Sequence, residues 1–573
     1  MLVVGGGAAG AAAAREARLR GFSTALIERE DFGAGSSAQC FKVVHGGIRY
    51  LQHADLGRLR ASCRERSVFL RIAPHLVAPM AFAIPTYGRG RSGKWLLRTG
   101  MLAYDACTFD RNRGLPDPTR RIGRTRSLTH DEALACFPTL EPSGLTGAAI
   151  FEDGQMYNPP RLVLAFIAAA IELGAVAANH VEAERLLVDR GRVTGVRAHD
   201  RLTGERFDIR ARVTINAAGP WAEGLLGTNA GPAPGPIGSF DEATYSRDAC
   251  FVVAREPHSM ALAVQGATRD QDALLAREAR HLFLVPWRGY TLVGVWHTVV
   301  PRDPDAVRLS RAELARFLAE INAAHPALGL QVSEVRAVCY GLVPFGDAAR
   351  QRPGALSFGK ESRIIDHGRA GLPGLISAIS VRYTVARRDA AAAVALASAQ
   401  LRGPGALQGP TDAAADASAM RSLPGGEIED FDAFERALAQ EFRGKFPEAQ
   451  LAALARNHGT RAAHVLALAA ADPALRQCLP GTHVLGAEVA HAAREEMAQR
   501  LADVVFRRTE LGTAGHPGEA ALAAAEAILT RELGWSARRA AEERDATAQQ
   551  FARYLAEPPA AGAIARGSVA AEV

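Results

Sequence analysis

The 573-residue chain is 48% hydrophobic and 22% charged, a composition that excludes general disorder and supplies enough apolar matter for about three domains of ~100–200 residues each. The formal net charge of +6 is almost wholly arginine, because lysine occurs only at positions 42, 94, 360 and 445. With no DNA- or RNA-binding motif beside it, that charge reads as compositional bias and argues against a nucleic-acid partner.

The first element is an apolar strand at residues 2–4, followed by the glycine turn GGGAAG and an alanine-rich helix from Ala8 to Arg20 that Gly21 stops. STALIE supplies the second strand, so the chain opens with one βαβ unit. Gly5, Gly7 and Gly10 form GxGxxG, with Ala8 and Ala9 between. That spacing lets backbone amides approach a pyrophosphate at the positive N-terminus of the helix, and Glu28 closes the next strand, where a carboxylate binds ribose hydroxyls. A dinucleotide is expected here, and the loop alone does not say whether it is NAD or FAD.

Apolar spacing predicts a helix within 51–79, ending near Pro74, and a second from Arg161 to Leu173. AERLLVDRGRVTGVRAHD and RFDIRARVTINAAGP alternate with turns like a β-meander returning to a buried strand, and 240–300 and 331–347 look strand-rich. The longest apolar run, LVLAFIAAAI at 162–171, falls short of the ~18–20 residues of a spanning helix. The start lacks a basic region followed by a long apolar one, so a cytoplasmic protein is expected. Residues 401–426 are small, polar and turn-rich, which predicts a linker, and 427–573 beyond it reads as helical. Seven cysteines are an odd number, scattered without a CxxC pair, and predict reduced thiols with no disulfide framework and no metal site.

DFGAGSSAQCFKVVHGGIRYL at 31–51 resembles the second flavin-contacting segment of the FAD-dependent glycerol-3-phosphate dehydrogenases, matching at Asp31, Phe32, Gly35, Ser37, Lys42, His45, Gly46, Gly47, Arg49, Tyr50 and Leu51. EDGQMYNPPRLVLAFIAAAIELGA (152–175), INAAGPWAE (215–223), FLVPWRGYTLVG (283–294) and AEVAHAAREEMAQRLADVVFRRTEL (487–511) follow in the family's order. The resemblance implies an α/β fold: a Rossmann-type FAD-binding domain from residues 1–80, 150–240 and 350–400, an interleaved β-rich substrate domain from 81–149 and 241–349, and the C-terminal helical domain. It implies bound FAD, held by Gly5, Gly7, Ala8, Ala9, Gly10, Glu28, Arg29, Ser36, Ser37, Lys42, His45, Gly46, Gly47, Ala218, Gly219, Tyr383 and Thr384. It also implies a quinone or dioxygen as electron acceptor, peripheral contact with the cytoplasmic membrane, and a homo-oligomer.

The substrate half departs from the family. Arg49 and Tyr50 match positions that face flavin and substrate, where arginine clamps an anion and tyrosine bonds the reacting oxygen. Cys250, in DACFVV, stands at the usual catalytic histidine, and an ordinary thiol is a poor general base. Val343 replaces an arginine in GLVPF, and Val381 replaces a lysine in ISVRYTVA, with Arg382 one place away. His297, ending GVWH, is a candidate replacement base, to be weighed against an ordinary structural histidine. Lys360 and Arg363 are further candidate cations. Burying a phosphate dianion against two valines is costly, so the expected activity is oxidation of a CH–OH or related carbon of a small polar substrate that has diverged from glycerol 3-phosphate. The alternatives are true glycerol 3-phosphate oxidation with relocated cations, Arg382 among them, and a flavoprotein without turnover. Met1 lies inside the glycine strand, where the family has residues before it, which predicts slightly weakened FAD retention.

Overall fold

A computed structural model describes residues 1–52, 55–88, 94–227, 244–266, 281–300, 304–345, 362–402 and 417–552. The strand Leu2–Val4 lies at the centre of a six-stranded sheet, between Ala25–Ile27 on one side and Thr214–Asn216 on the other. Val176–Ala178 extends the first side and Leu375–Ile379 the second, all parallel, and Arg363–Asp366 adds an antiparallel edge. Chain continuation to opposite sides of Leu2–Val4 leaves a crevice at that strand's carboxyl end, the place where such sheets bind ligands.

Small side chains bring the helices close. Ala8–Leu19 buries Ala11, Ala12, Ala13, Ala14 and Ala17, and it packs between Pro159–Glu172 and Ala386–Arg402 over Val3, Leu26 and Ile215. Alanine costs no side-chain entropy in a helix, so the close approach has little to offset it. The expected helix near 51–79 is two pieces, Arg49–Gln52 and Leu56–Ile72, the second capped by Asp55 accepting from Arg58 N–H. The meander is a separate three-stranded sheet, Val181–Asp189, Arg192–Asp200 and Arg206–Arg210.

A second, mainly antiparallel sheet runs Val335–Phe345, Thr244–Val253, Tyr290–Val300, His281–Trp287, Ala261–Gln265, Val77–Tyr87, Leu145–Met156 and Val43–Val44, with Arg126–Leu128 paired beside Leu145–Met156. Its central strands stack Phe251 on Trp296, and Trp296 on Phe317 of the helix Arg311–Ala324. Helices between Phe431 and Ala552 follow, and none in the described residues is long and apolar enough to cross a membrane.

One buried charge cluster joins the early motif to the helical region. Arg508 pairs both guanidinium Nη atoms with Asp31, at 2.6 and 2.8 Å, and Arg507 donates to the same carboxylate. Asn179 Nδ2 donates to Asp31 from a third segment. Burial alone would raise the Asp31 carboxyl, but the Arg508 guanidinium leads the opposing interactions and holds it below its ordinary value. Asp31→Asn leaves the buried Arg508 guanidinium without its carboxylate partner and Arg507 with Asp503 alone, and is expected to cost about 3 kcal/mol or more, read as a lower midpoint in urea unfolding. An unchanged midpoint would show that the cluster does not lock the two regions together.

Candidate active site

The crevice opens into a cavity of about 1110 Å³ that runs along both sheets. Its first wall is the glycine turn. Gly5 adopts φ +102°, and a Cβ there would lie 2.6 Å from Ala217 O; a Cβ on Gly10 would lie 1.8 Å from Gly5 O. No side chain fits either place, so the turn folds flat against the strand ends and aims the helix N-terminus into the cavity. Gly10 supports the turn from beneath and does not line the cavity, whereas Gly5, Gly7, Ala8 and Ala9 do. Ala8 N–H donates to Ser37 Oγ at 3.0 Å, which leaves the hydroxyl its own proton to give to an anion.

Glu28 stands where the ribose was expected. Its Oε2 accepts from Gly6 N–H at 2.6 Å and its Oε1 from Glu30 N–H at 2.9 Å. Each carboxylate oxygen keeps a second lone pair for a ribose hydroxyl. Burial pushes the carboxyl up, and the two backbone donors work against that. Arg29 lines the same end, stacked 4.5 Å over the Trp221 ring and paired with Asp305. Ala218 and Gly219, after Thr214–Asn216, complete it.

The opposite end is built on the HGG turn. Gly46 N–H donates to Asp153, which Arg66 also grips; a Cβ on Gly46 would fall 2.3 Å from Arg66 Nη1. Gly46 is therefore a buried anchor, and His45, Gly47 and Tyr50 reach the cavity from it. Arg66 and Asp153 went unread in the sequence, since nothing local marks a pair so far apart. Burial, then Arg382 and Arg66, lower His45 to about 4, so its imidazole is neutral near pH 7. His45 N–H donates to Thr384 Oγ1 at 3.2 Å, which ties this turn to the segment after Leu375–Ile379. Tyr383 lines the cavity too, but its hydroxyl donates to Pro159 O. Ser36 sits in the wall with its hydroxyl exchanged against the Leu342 backbone at 2.9 and 3.1 Å.

The altered residues converge here. Arg382, in extended backbone just before the turn Tyr383–Val385, points into the cavity. Its Nη1 donates to Tyr50 OH at 3.0 Å and to Ser62 Oγ at 3.2 Å, and its Nε is buried without a partner among the described residues. Val343 and Val381 line the wall as apolar surface. His297 and Asp248 face each other across neighbouring strands, with Nδ1 2.8 Å from Asp248 Oδ1, and Ser246 Oγ donates to that oxygen at 2.6 Å. Asp248 is a functional candidate that sequence reading missed, because only the strand register reveals it.

Two expectations are corrected. Lys42 does not line this cavity: its amine donates to Ala38 O and Cys40 O and contacts Cys339 Sγ, lying 5.4 Å over the Trp287 ring, because the turn before Val43 has φ +59° and sends the side chain behind the wall. Cys250 lines the cavity, and its interaction with Cys339 and its burial push the thiol well above its ordinary value, which works against a role as general base. Arg49 opens the short helix Arg49–Gln52, and its side chain and Lys360 lie outside the described residues. Arg363 begins the edge strand and is absent from the cavity lining.

The flat glycine turn, the helix N-terminus behind it and the carboxylate with spare lone pairs fit an adenine dinucleotide along the first end, where Gly5, Gly7, Ala8, Ala9 and Glu28 would hold it. Residues 1–381 match the family described as FAD dependent oxidoreductase, and 418–540 match the C-terminal domain of alpha-glycerophosphate oxidase. The chain is 29% identical to a Synechocystis glycerol-3-phosphate dehydrogenase over 97% of its own length and 96% of that protein. It is 28% identical to the alpha-glycerophosphate oxidase of Streptococcus pneumoniae, covering 75% of this chain and 68% of the relative. Against the human mitochondrial glycerol-3-phosphate dehydrogenase the identity is 33%, over 53% of this chain and 41% of that one. Among solved structures, a glycerol-3-phosphate dehydrogenase from Bacillus halodurans, complexed with FAD, superposes with a TM-score of 0.71 at 23% identity, covering 96% of this chain and 94% of that chain; at that identity the likeness carries the fold.

Proposed function

The chain belongs to the FAD dependent oxidoreductase family and is an FAD-dependent oxidoreductase of the glycerol-3-phosphate dehydrogenase and oxidase type, and from that premise we propose that it oxidises the CH–OH carbon of a small polar substrate that has diverged from glycerol 3-phosphate. The observation that carries this reading is a cavity that holds the Arg382 guanidinium beside Tyr50, with two valines in its wall and a histidine–aspartate pair in the same lining. Bound flavin supplies the two-electron sink.

The residues divide the remaining work. Arg382 donates to the Tyr50 hydroxyl oxygen, so the tyrosine proton is directed elsewhere and hydrogen-bonds the substrate oxygen. The buried Arg382 Nε is a donor for a carboxylate or other single negative charge. Asp248 holds His297 at Nδ1, which assigns the proton of the substrate hydroxyl to Nε2, and the carboxylate stabilises the imidazolium that results. His45, neutral and bonded through its backbone, orients the wall without adding charge. Electrons leave to a quinone or to dioxygen, the two acceptors this family type supports.

The test is anaerobic mixing of the yellow protein with glycerol 3-phosphate, unphosphorylated polyols, hydroxy acids and amines. Flavin bleaching by a neutral or monoanionic member, and none by glycerol 3-phosphate at millimolar concentration, is expected. Rapid bleaching by glycerol 3-phosphate would replace this reading with true glycerol 3-phosphate oxidation, in which Arg382 stands in for the lost lysine. No bleaching by any compound, from a protein that dithionite does reduce, would favour a flavoprotein without turnover.

A further inference from the structure

Three of the seven scattered cysteines meet within the active-site wall. Cys250 and Cys339 are direct partners on the antiparallel strands Thr244–Val253 and Val335–Phe345, and Cys40 lies close by on the turn before Lys42. Side chains of directly opposed residues project from the same face, and their Cα atoms stand about 4.5–5.5 Å apart, inside the about 4.4–6.8 Å span of a disulfide. Each thiol is the leading influence on the proton affinity of the other. Room for them comes from the other neighbour of Cys250, Gly294, where a Cβ would approach Cys250 Cβ to 2.8 Å.

Their surroundings are unequal. Cys339 Sγ is 3.4 Å from the buried Lys42 ammonium, and Cys339 and Lys42 both line a small second cavity of about 120 Å³. Cys250 instead faces the main cavity. The hydrogen bond from Cys250, followed by the Lys42 charge acting against burial, lowers Cys339 to about 6, while Cys250 is raised. The Lys42 charge 3.4 Å away favours the anion on Cys339, while Cys250 holds its proton more tightly than an ordinary thiol.

We propose that Cys339 and Cys250 are a peroxide-reactive dithiol, in which Cys339 is the attacking sulfur, Lys42 holds it as the anion, and Cys250 resolves the product into a cross-strand disulfide. The Cys339 thiolate attacks one oxygen of hydrogen peroxide; the O–O bond breaks, hydroxide leaves and takes up a proton as water, and Cys339 becomes a sulfenic acid. The Cys250 sulfur then attacks the Cys339 sulfur, its proton joins the departing hydroxyl as a second water, and the S–S bond forms. A thiolate and a thiol have lost two electrons and one proton, solvent has supplied the proton taken up by the first hydroxide, and one peroxide has become two waters. The bridge removes the anion beside Lys42 and ties two strands whose other residues, Asp248, Gly341, Leu342 and Val343, line the active site. Peroxide thus adjusts the wall on which the substrate rests. The inference stands on the thiol geometry and is independent of which substrate the enzyme oxidises.

The experiment uses the reduced, FAD-loaded full chain at pH 7, treated with hydrogen peroxide and digested without reductant. A peptide linked through Cys250 and Cys339, reopened by dithiothreitol, is expected to form before the exposed Cys478 is oxidised. Cys250→Ser is expected to stop at the Cys339 sulfenic acid, captured by dimedone. Lys42→Met is expected to slow the reaction of Cys339 at least about tenfold, since a thiol returned to about pKa 8.5 is only a few per cent thiolate at pH 7. Retained flavin absorbance shows that each variant is folded, and should one lose it, the wild-type peptide map decides alone. Absence of the linked peptide, or oxidation of Cys478 ahead of Cys339, overturns the proposal.

Discussion

Gly10→Ala is expected to yield a colourless protein. The added methyl carbon would sit 1.8 Å from Gly5 O, a backbone atom that cannot swing aside as a side-chain end can. Gly5 has no room to retreat either, because its own Cβ position is 2.6 Å from Ala217 O and its φ of +102° is open to glycine alone. The helix Ala8–Leu19 must therefore lift from the strand ends, and its N-terminal amides leave the place where they meet a pyrophosphate. Flavin absorbance per polypeptide measures this directly. Gly100→Ala is the matched control: its Cβ meets nothing within 4 Å in the helix Lys94–Cys107, so flavin is retained and helix stability rises by up to about 1 kcal/mol. Full flavin occupancy in the Gly10 variant would remove the cofactor from this turn.

The glycine turn was legible in the sequence because its constraints are local: a strand, a turn and a helix lie within twenty residues, and each glycine answers to a contact its neighbours set. The substrate wall was not. Arg382 stands one place from the lost lysine, and periodicity alone turns such a neighbour away; the chain there is neither helix nor sheet interior, and its extended residue before a tight turn sends the guanidinium to Tyr50. Asp31 sits in a flavin-segment motif, yet its charge is met by Arg507 and Arg508 from the tail, a pairing that appears only when the helices fold back. Lys42 matched its family position and still faces the rear of the wall, since one left-handed residue reverses which cavity a side chain enters.

The same reasoning about register bears on the base. His297→Gln is expected to lower the rate of flavin reduction by about 10²–10⁴-fold, measured anaerobically with whichever compound bleaches the wild type, at unchanged flavin content. Asp248 and His297 are direct partners across Thr244–Val253 and Tyr290–Val300, and both line the cavity that holds Tyr50 and Arg382. Glutamine preserves a donor toward Asp248 Oδ1, so the wall keeps its hydrogen bond, but an amide cannot take a proton at neutral pH. A structural histidine would register as lost stability or lost flavin; a base registers as lost rate with both intact. Asp248→Asn is expected to lower the rate with His297 still present, because an amide that donates toward Nδ1 turns the imidazole proton to Nε2, the atom that must be empty to accept one. Undiminished reduction in the glutamine variant would move the base elsewhere in the cavity and leave the dyad as a strand-to-strand clasp.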